Sequence, residues 1–263
     1  MPRGRSHWSL LGSLRDSLAT ACPTAHTLIR SHPATFFAGG ILPDSLRLFA
    51  GMNKDSSHFY DDQRPATWDR AIATLCARNP AVANPGQLDD ADIVWMLGVI
   101  AHITADLAYW EHIIPLLPPG PPFDARHYGA WLLMDRLPVP AGDRLLRWSD
   151  VAISALPPFG KAGALRQLWD QMVERVLPPD DPWVVESGYR SSGYSPRLRH
   201  NEANHPISLD TLVQLHSGEW ADNVALVHDL LVPGRRDSFV AGAVARGTDQ
   251  VERYLRGEFV PNL

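Results

Sequence analysis

Cysteine and lysine are scarce in this chain. Two cysteines, Cys22 and Cys76, in 263 residues cannot build a disulfide framework, and their spacing is not that of a zinc finger. Lysine occurs only at Lys54 and Lys161, so arginine supplies most of the 24 basic residues. Against 29 acidic residues they leave a formal charge of −5. That balance does not suit a general polyanion binder, and no stable nucleic-acid partner is expected. Long apolar runs are missing too. The central uncharged stretch, Ile93 to Ala101, is bounded by Asp92 and His102, well short of the ~20 residues a spanning helix needs. No transmembrane segment is therefore expected. The first 21 residues are interrupted by His7, Ser9, Ser13, Arg15, Asp16 and Ser17, which predicts no signal peptide and a cytoplasmic protein. Finally, no Val/Ile/Thr alternation with hairpin turns calls for a sheet.

What remains is a helical pattern punctuated by 23 prolines, with 45% hydrophobic residues to fill a core. One all-α domain over residues 1–263 is the simplest account. Helices are predicted over 9–21, 67–78, 127–136, 142–156, 161–176, 208–231 and 236–256. Residues 32–64, with Gly39, Gly40, Pro43, Gly51 and Asn53, read as loop-rich. The polar stretch 178–206, with Arg190, Arg197, Arg199 and His200, reads as a long loop. The clearest helix is central. Asp89 or Asp90 offers its N-cap, Asp92 sits in its first turn, and the apolar pattern runs on to His112.

That helix carries the chemistry. His102 and Asp106 are four residues apart and share a face. His112 lies roughly 80° round from His102 at ~100° per residue. An aspartate on so apolar a helix is costly unless it is paired or bound to a metal. The pair alone is more often a hydrogen-bonded couple than two ligands. Two further segments favour a metal. Gly39-Gly40-Ile41-Leu42-Pro43-Asp44 reads as a tight turn ending in a carboxylate. Ser57-His58-Phe59-Tyr60-Asp61 follows fourteen residues later. Carboxylate and imidazole suit zinc, and a catalytic zinc keeps one position open for water.

These pieces, with His7 before them and His127 after them, resemble the zinc-dependent phospholipase C family, which is related to the single-strand-specific zinc nucleases. The matching stretch covers residues 7–127. The resemblance implies an all-α fold with a cluster of two or three zinc ions. It implies that Asp44, His58, His102 and Asp106 hold a first zinc. Asp106 would bridge to a second zinc held with His7, and His112 and His127 would hold the remaining one. Where the family places a carboxylate four residues after the last histidine, this chain has Trp131; Asp124 or Glu111 could substitute.

The implied activity is hydrolysis of a phosphodiester or phosphomonoester by a metal-activated water, with Asp44 orienting that water or taking its proton. The substrate would be a small-molecule or lipid phosphoester. Phe59, Tyr60 and Trp131 are candidates to line the cleft, with helix packing as their alternative role. Choline-facing aromatics are replaced by Ser45 and Asp55, so phosphatidylcholine specificity is not expected. Two other functions are compatible with these residues. The same metal-binding fold could serve a non-phosphate reaction in small-molecule biosynthesis, or a non-catalytic, metal-stabilised binding module.

Overall fold

A computed structural model describes residues 4–61, 63–117, 130, 134–135, 137–173, 177, 227 and 230–261. Within them the chain is helical, and no strand occurs among the described residues. Helix α1 (Gly4–Ala21) is followed by α2 (Pro23–Ser31) and α3 (Pro33–Phe49). Both α2 and α3 start on a proline, whose fixed φ and missing N–H suit the first helical position. The short α4 (Lys54–His58) is capped by Asn53, whose side chain accepts from the Ser56 N–H. A 3₁₀ turn at Pro65–Arg70 leads into α5 (Ala71–Arg78). The central helix α6 (Asp90–His112) is capped by Asp89, which accepts from the Asp92 N–H at 2.9 Å. The last described helices are α7 (Ala162–Gln171) and α8 (Pro233–Leu255).

Helix α6 runs through the middle, with α3 crossing it on one side and α8 flanking it on another. Its length and hydropathy would let it cross a bilayer, but 83% of its most apolar window is buried inside the protein. It is the core helix. Trp8, Phe36, Phe37, Trp95 and Trp169 fill the main core around it. Tyr109, Ile113, Met134 and Phe239 form a second cluster toward its C-terminal end. Three indole and phenol groups of the core find backbone acceptors: Trp8 donates to Asp143, Trp95 to Ala152 and Tyr254 to Val82. Burial of these large side chains therefore leaves no polar penalty at those three atoms.

Three sequence expectations are corrected. The stretch 32–64 is not loop-rich, because α3 occupies most of it and buries a continuous run from Ala34 to Leu46. Its glycines serve close packing rather than a turn. A Cβ on Gly39 would lie 2.5 Å from the Trp95 carbonyl oxygen, and one on Gly98 would lie 2.2 Å from the Phe36 carbonyl oxygen. Helices α3 and α6 thus touch backbone to backbone. Second, α1 begins at Gly4 rather than at residue 9. Buried Arg5 donates to the carbonyls of Asp135 and Leu177, and Ser6 donates to the Asp135 carboxylate. These distant acceptors hold the first turn in place. Third, 142–156 is not one helix but three 3₁₀ turns, at Ala141–Leu145, Trp148–Asp150 and Ile153–Ala155. The carbonyls of Asp143 and Ala152 are taken by Trp8 and Trp95 instead of by a helix ladder. The expected loop over 178–206 and the helices over 127–136 and 208–231 lie largely or wholly outside the described residues.

Candidate metal centre

Five polar side chains converge where α1, α3, α4 and α6 meet. His7 comes from α1, Asp44 from α3, His58 from the last position of α4, and His102 and Asp106 from α6. All five are buried. Asp44 stands inside α3, one residue after Pro43, and not at the end of a turn. The close α3–α6 crossing brings it to the His102 face.

Local hydrogen bonds aim the two innermost imidazoles. His102 Nδ1 lies 2.7 Å from the Gly40 carbonyl oxygen. A carbonyl only accepts, so Nδ1 carries the proton and Nε2 presents a lone pair. His58 Nδ1 lies 2.7 Å from Ser57 Oγ, whose own hydrogen goes to the Asn53 carbonyl. Nδ1 must then donate here as well, and Nε2 is again a lone pair. Burial lowers the pKa of both rings, His102 to about 3. Both stay neutral at ordinary pH. The two Nε2 atoms face each other at 3.2 Å. Two lone pairs at that distance repel unless a cation sits between them.

Carboxylates complete the set. His58 Nε2 is 3.5 Å from Asp44 Oδ1 and 3.5 Å from Asp106 Oδ2, and His102 Nε2 is 3.9 Å from Asp106 Oδ2. Tetrahedral zinc with bonds of ~2.0–2.1 Å has ligand–ligand edges of about 3.3–3.4 Å. The observed spacings scatter around that value. The second oxygen of Asp106 faces another way: Oδ1 is 3.3 Å from His7 Nε2. Neither that oxygen nor either His7 nitrogen makes a hydrogen bond. The His7 ring stacks on His102 with centroids 3.9 Å apart. Three orphaned buried polar atoms in one place are expensive in a folded protein. The two groupings able to hold an ion are His58, His102 and Asp106, and His7, Asp44 and His102. The donor set therefore fits divalent metal.

Both carboxylates are ionised at ordinary pH. Burial pushes the Asp44 carboxyl up, but a proton taken up by His58, followed by His102 and His7, pulls it below the usual carboxylate range. Burial likewise opposes the shift of Asp106, which His7, His102 and Lys54 hold well below that range. Tyr60 adds a hydrogen bond from its hydroxyl to Asp106 Oδ2 at 2.9 Å. It reaches there because Phe59 closes α4 in the left-handed conformation, φ 63°, and turns the chain back on itself.

Among the described residues, His112 and Glu111 stand apart from this cluster. His112 is half-buried, with Nε2 directed at α8, where a Cβ on Gly242 would meet it at 2.4 Å. Its expected partner His127, along with Trp131 and Asp124, lies outside the described residues. Glu111 pairs with Arg246. Phe59 is buried and packs edge-on against Phe159, 5.6 Å between centroids. Tyr60 supports Asp106 rather than lining an open cleft. Residue patterns did not expose Ser57 and the Gly40 carbonyl as orienting partners. Ser57 directly before His58, at helical distance from Asn53, is the one signal that was there to use.

A family model described as zinc dependent phospholipase C matches residues 6–139, just over half of the chain. The matched stretch contains all five converging side chains. No curated protein and no solved structure matches.

Proposed function

The chain belongs to the zinc-dependent phospholipase C family, and from that footing we propose that it is a metal-dependent phosphoester hydrolase. The observation that supports this reading most is the pair of histidine lone pairs facing each other at 3.2 Å, flanked by two ionised carboxylates. His58, His102, Asp106 and Asp44 would hold one divalent ion, and Asp106 Oδ1 with His7 would hold a neighbour. When bound there, such ions supply Lewis acidity for a phosphoryl oxygen and lower the pKa of water.

The protein's own groups set the rest. Tyr60 fixes one Asp106 oxygen, leaving the other for the His7 side. Ser57 and Gly40 hold the rings in the tautomer that offers Nε2. Asp44 has the most exposed side chain of the five, at 7%. It is ionised, so it can accept a hydrogen bond from water and direct the water's lone pair outward. The substrate class proposed is a phosphodiester or phosphomonoester, of a small molecule or a lipid.

The test starts with elemental analysis of untagged protein purified without added metal. Hydrolysis of bis-p-nitrophenyl phosphate is then followed before and after chelation. Bound zinc, activity lost with the chelator and restored by zinc, and loss of activity in a folded D44N variant are expected. Zinc-loaded protein that hydrolyses neither diesters nor monoesters would overturn the assignment.

A further inference from the structure

Asp106 offers two oxygens, and its own helix does not decide how they are shared. A carboxylate can give both oxygens to one ion or one oxygen to each of two. The two modes differ by a rotation about the last side-chain bond. For aspartate that torsion is broad and roughly two-fold, so a place on α6 leaves it open. Yet the carboxylate stands in one orientation. Oδ2 lies 3.5 Å from His58 Nε2 and 3.9 Å from His102 Nε2, and Oδ1 lies 3.3 Å from His7 Nε2.

Tyr60 is the group that fixes this. Its hydroxyl donates to Oδ2 at 2.9 Å, across 46 residues of sequence. The residue is 1% exposed, and its ring stands edge-on to that of His58, 6.2 Å between centroids. A hydroxyl on so confined a ring cannot follow a turning carboxylate. The bond also makes the two oxygens unequal. Oδ2 spends one lone pair on the hydroxyl and keeps another, and a hydrogen bond draws charge from the oxygen that accepts it. Oδ1 accepts no hydrogen bond. The stronger ligand atom therefore faces His7. That side has the greater need of it, because the ion on the Oδ2 side is also held by His58, His102 and Asp44, whereas His7 is the ligand that joins Oδ1.

We propose that Tyr60 is the positioning residue that makes this a two-ion centre: its hydroxyl keeps Asp106 from closing both oxygens onto the first ion and reserves Oδ1 for the ion at His7. The proposal rests on the two-ion phosphoesterase reading given above and deepens it.

The test counts ions. Zinc is titrated by calorimetry into metal-free wild type, Y60F, H7A and the double variant. Metal per chain is read by elemental analysis, and folding by circular dichroism. Y60F should bind one ion fewer than wild type, with the Kd of that ion raised at least about tenfold and the Kd of the first ion within about threefold. H7A should lose the same ion, and the double variant no further one. Equal weakening of every ion in Y60F would make Tyr60 a general support of the fold and overturns the proposal. So does a Y60F protein that binds zinc like wild type, or a wild type with a single site. A zinc-loaded crystal structure of wild type depends on no variant. One Asp106 oxygen on each ion, with the Tyr60 bond kept, is the expected result, and both oxygens on one ion overturns the proposal. Hydrolysis of bis-p-nitrophenyl phosphate and its monoester by wild type is scored separately. A Tyr60-dependent second ion without any hydrolysis would sink the hydrolase reading and leave this role of Tyr60 standing. Hydrolysis by wild type with unchanged zinc binding in Y60F does the reverse.

Discussion

Gly98→Ala tests whether the helix crossing holds the metal centre together. An added Cβ would meet the Phe36 carbonyl oxygen at 2.2 Å, the Gly40 nitrogen at 2.8 Å and the Gly39 Cα at 2.9 Å. All three are backbone atoms of α3, so no side chain can rotate away. Restoring ordinary contact needs about 1 Å of separation between α3 and α6. Overpacking of this kind costs about 1–3 kcal/mol, and an unyielding backbone puts it at the upper end. Alanine returns up to ~1 kcal/mol through helix propensity. The net loss should be about 2 kcal/mol, or roughly 4–8 °C in melting temperature for a chain of this size. The same shift draws the Gly40 carbonyl away from His102 Nδ1 and Asp44 away from His58. Loss of such orienting contacts typically lowers metal affinity 10–100-fold. Gly163→Ala in α7 is the control, because nothing lies within 4 Å of its Cβ position. It should be neutral or gain a few tenths of a kcal/mol up to ~1. Denaturant melts of metal-free protein and competition with a chelator read both effects. If Gly98→Ala matches or exceeds wild type in stability and zinc affinity, the backbone contact is not what places the ligands.

Ser57→Ala should weaken zinc binding 10–100-fold with little change in the helical circular dichroism, because His58 loses the acceptor that fixes its tautomer; unchanged affinity would show that the ring is oriented by packing alone. In the metal-free protein, stability should fall as pH drops from about 6.5. There the unfolded chain takes up protons that buried His58 and His102 refuse, at up to ~1.4 kcal/mol per pH unit for each ring. Asp44 and Asp106, held low, add their own loss only below about 4. Urea midpoints at pH 7, 6 and 5 after chelation check this, and a flat profile over that range would contradict neutral buried imidazoles.

The central helix was legible almost to the residue. A capping aspartate, acidic residues in the first turn and an unbroken apolar pattern all point the same way at Asp89–His112. His102 and Asp106 could be placed on one face from spacing alone. Asp44 was singled out but given the wrong setting. Gly39, Gly40 and Pro43 are turn formers by local rule, and only the approach of Trp95 and Gly98 reveals them as a helix crossing. The start of α1 was missed because its anchors, Asp135 and Leu177, are far along the chain. Residues 142–156 have helical periodicity, but Trp8 and Trp95 claim the carbonyls that a helix would need. The partners that orient His58 and His102 were illegible for the same reason. One is a backbone carbonyl, and no side-chain pattern records it.

Every converging ligand rides on a helix, and none sits on a hinged loop. His58 and His102 are 44 residues apart in sequence, and His102 is bonded across 62 residues to Gly40. An ion seated among them joins four helices that are distant in sequence, so its binding energy becomes folding energy. Metal should therefore raise the melting temperature of the whole bundle, and not only order the side chains that touch it.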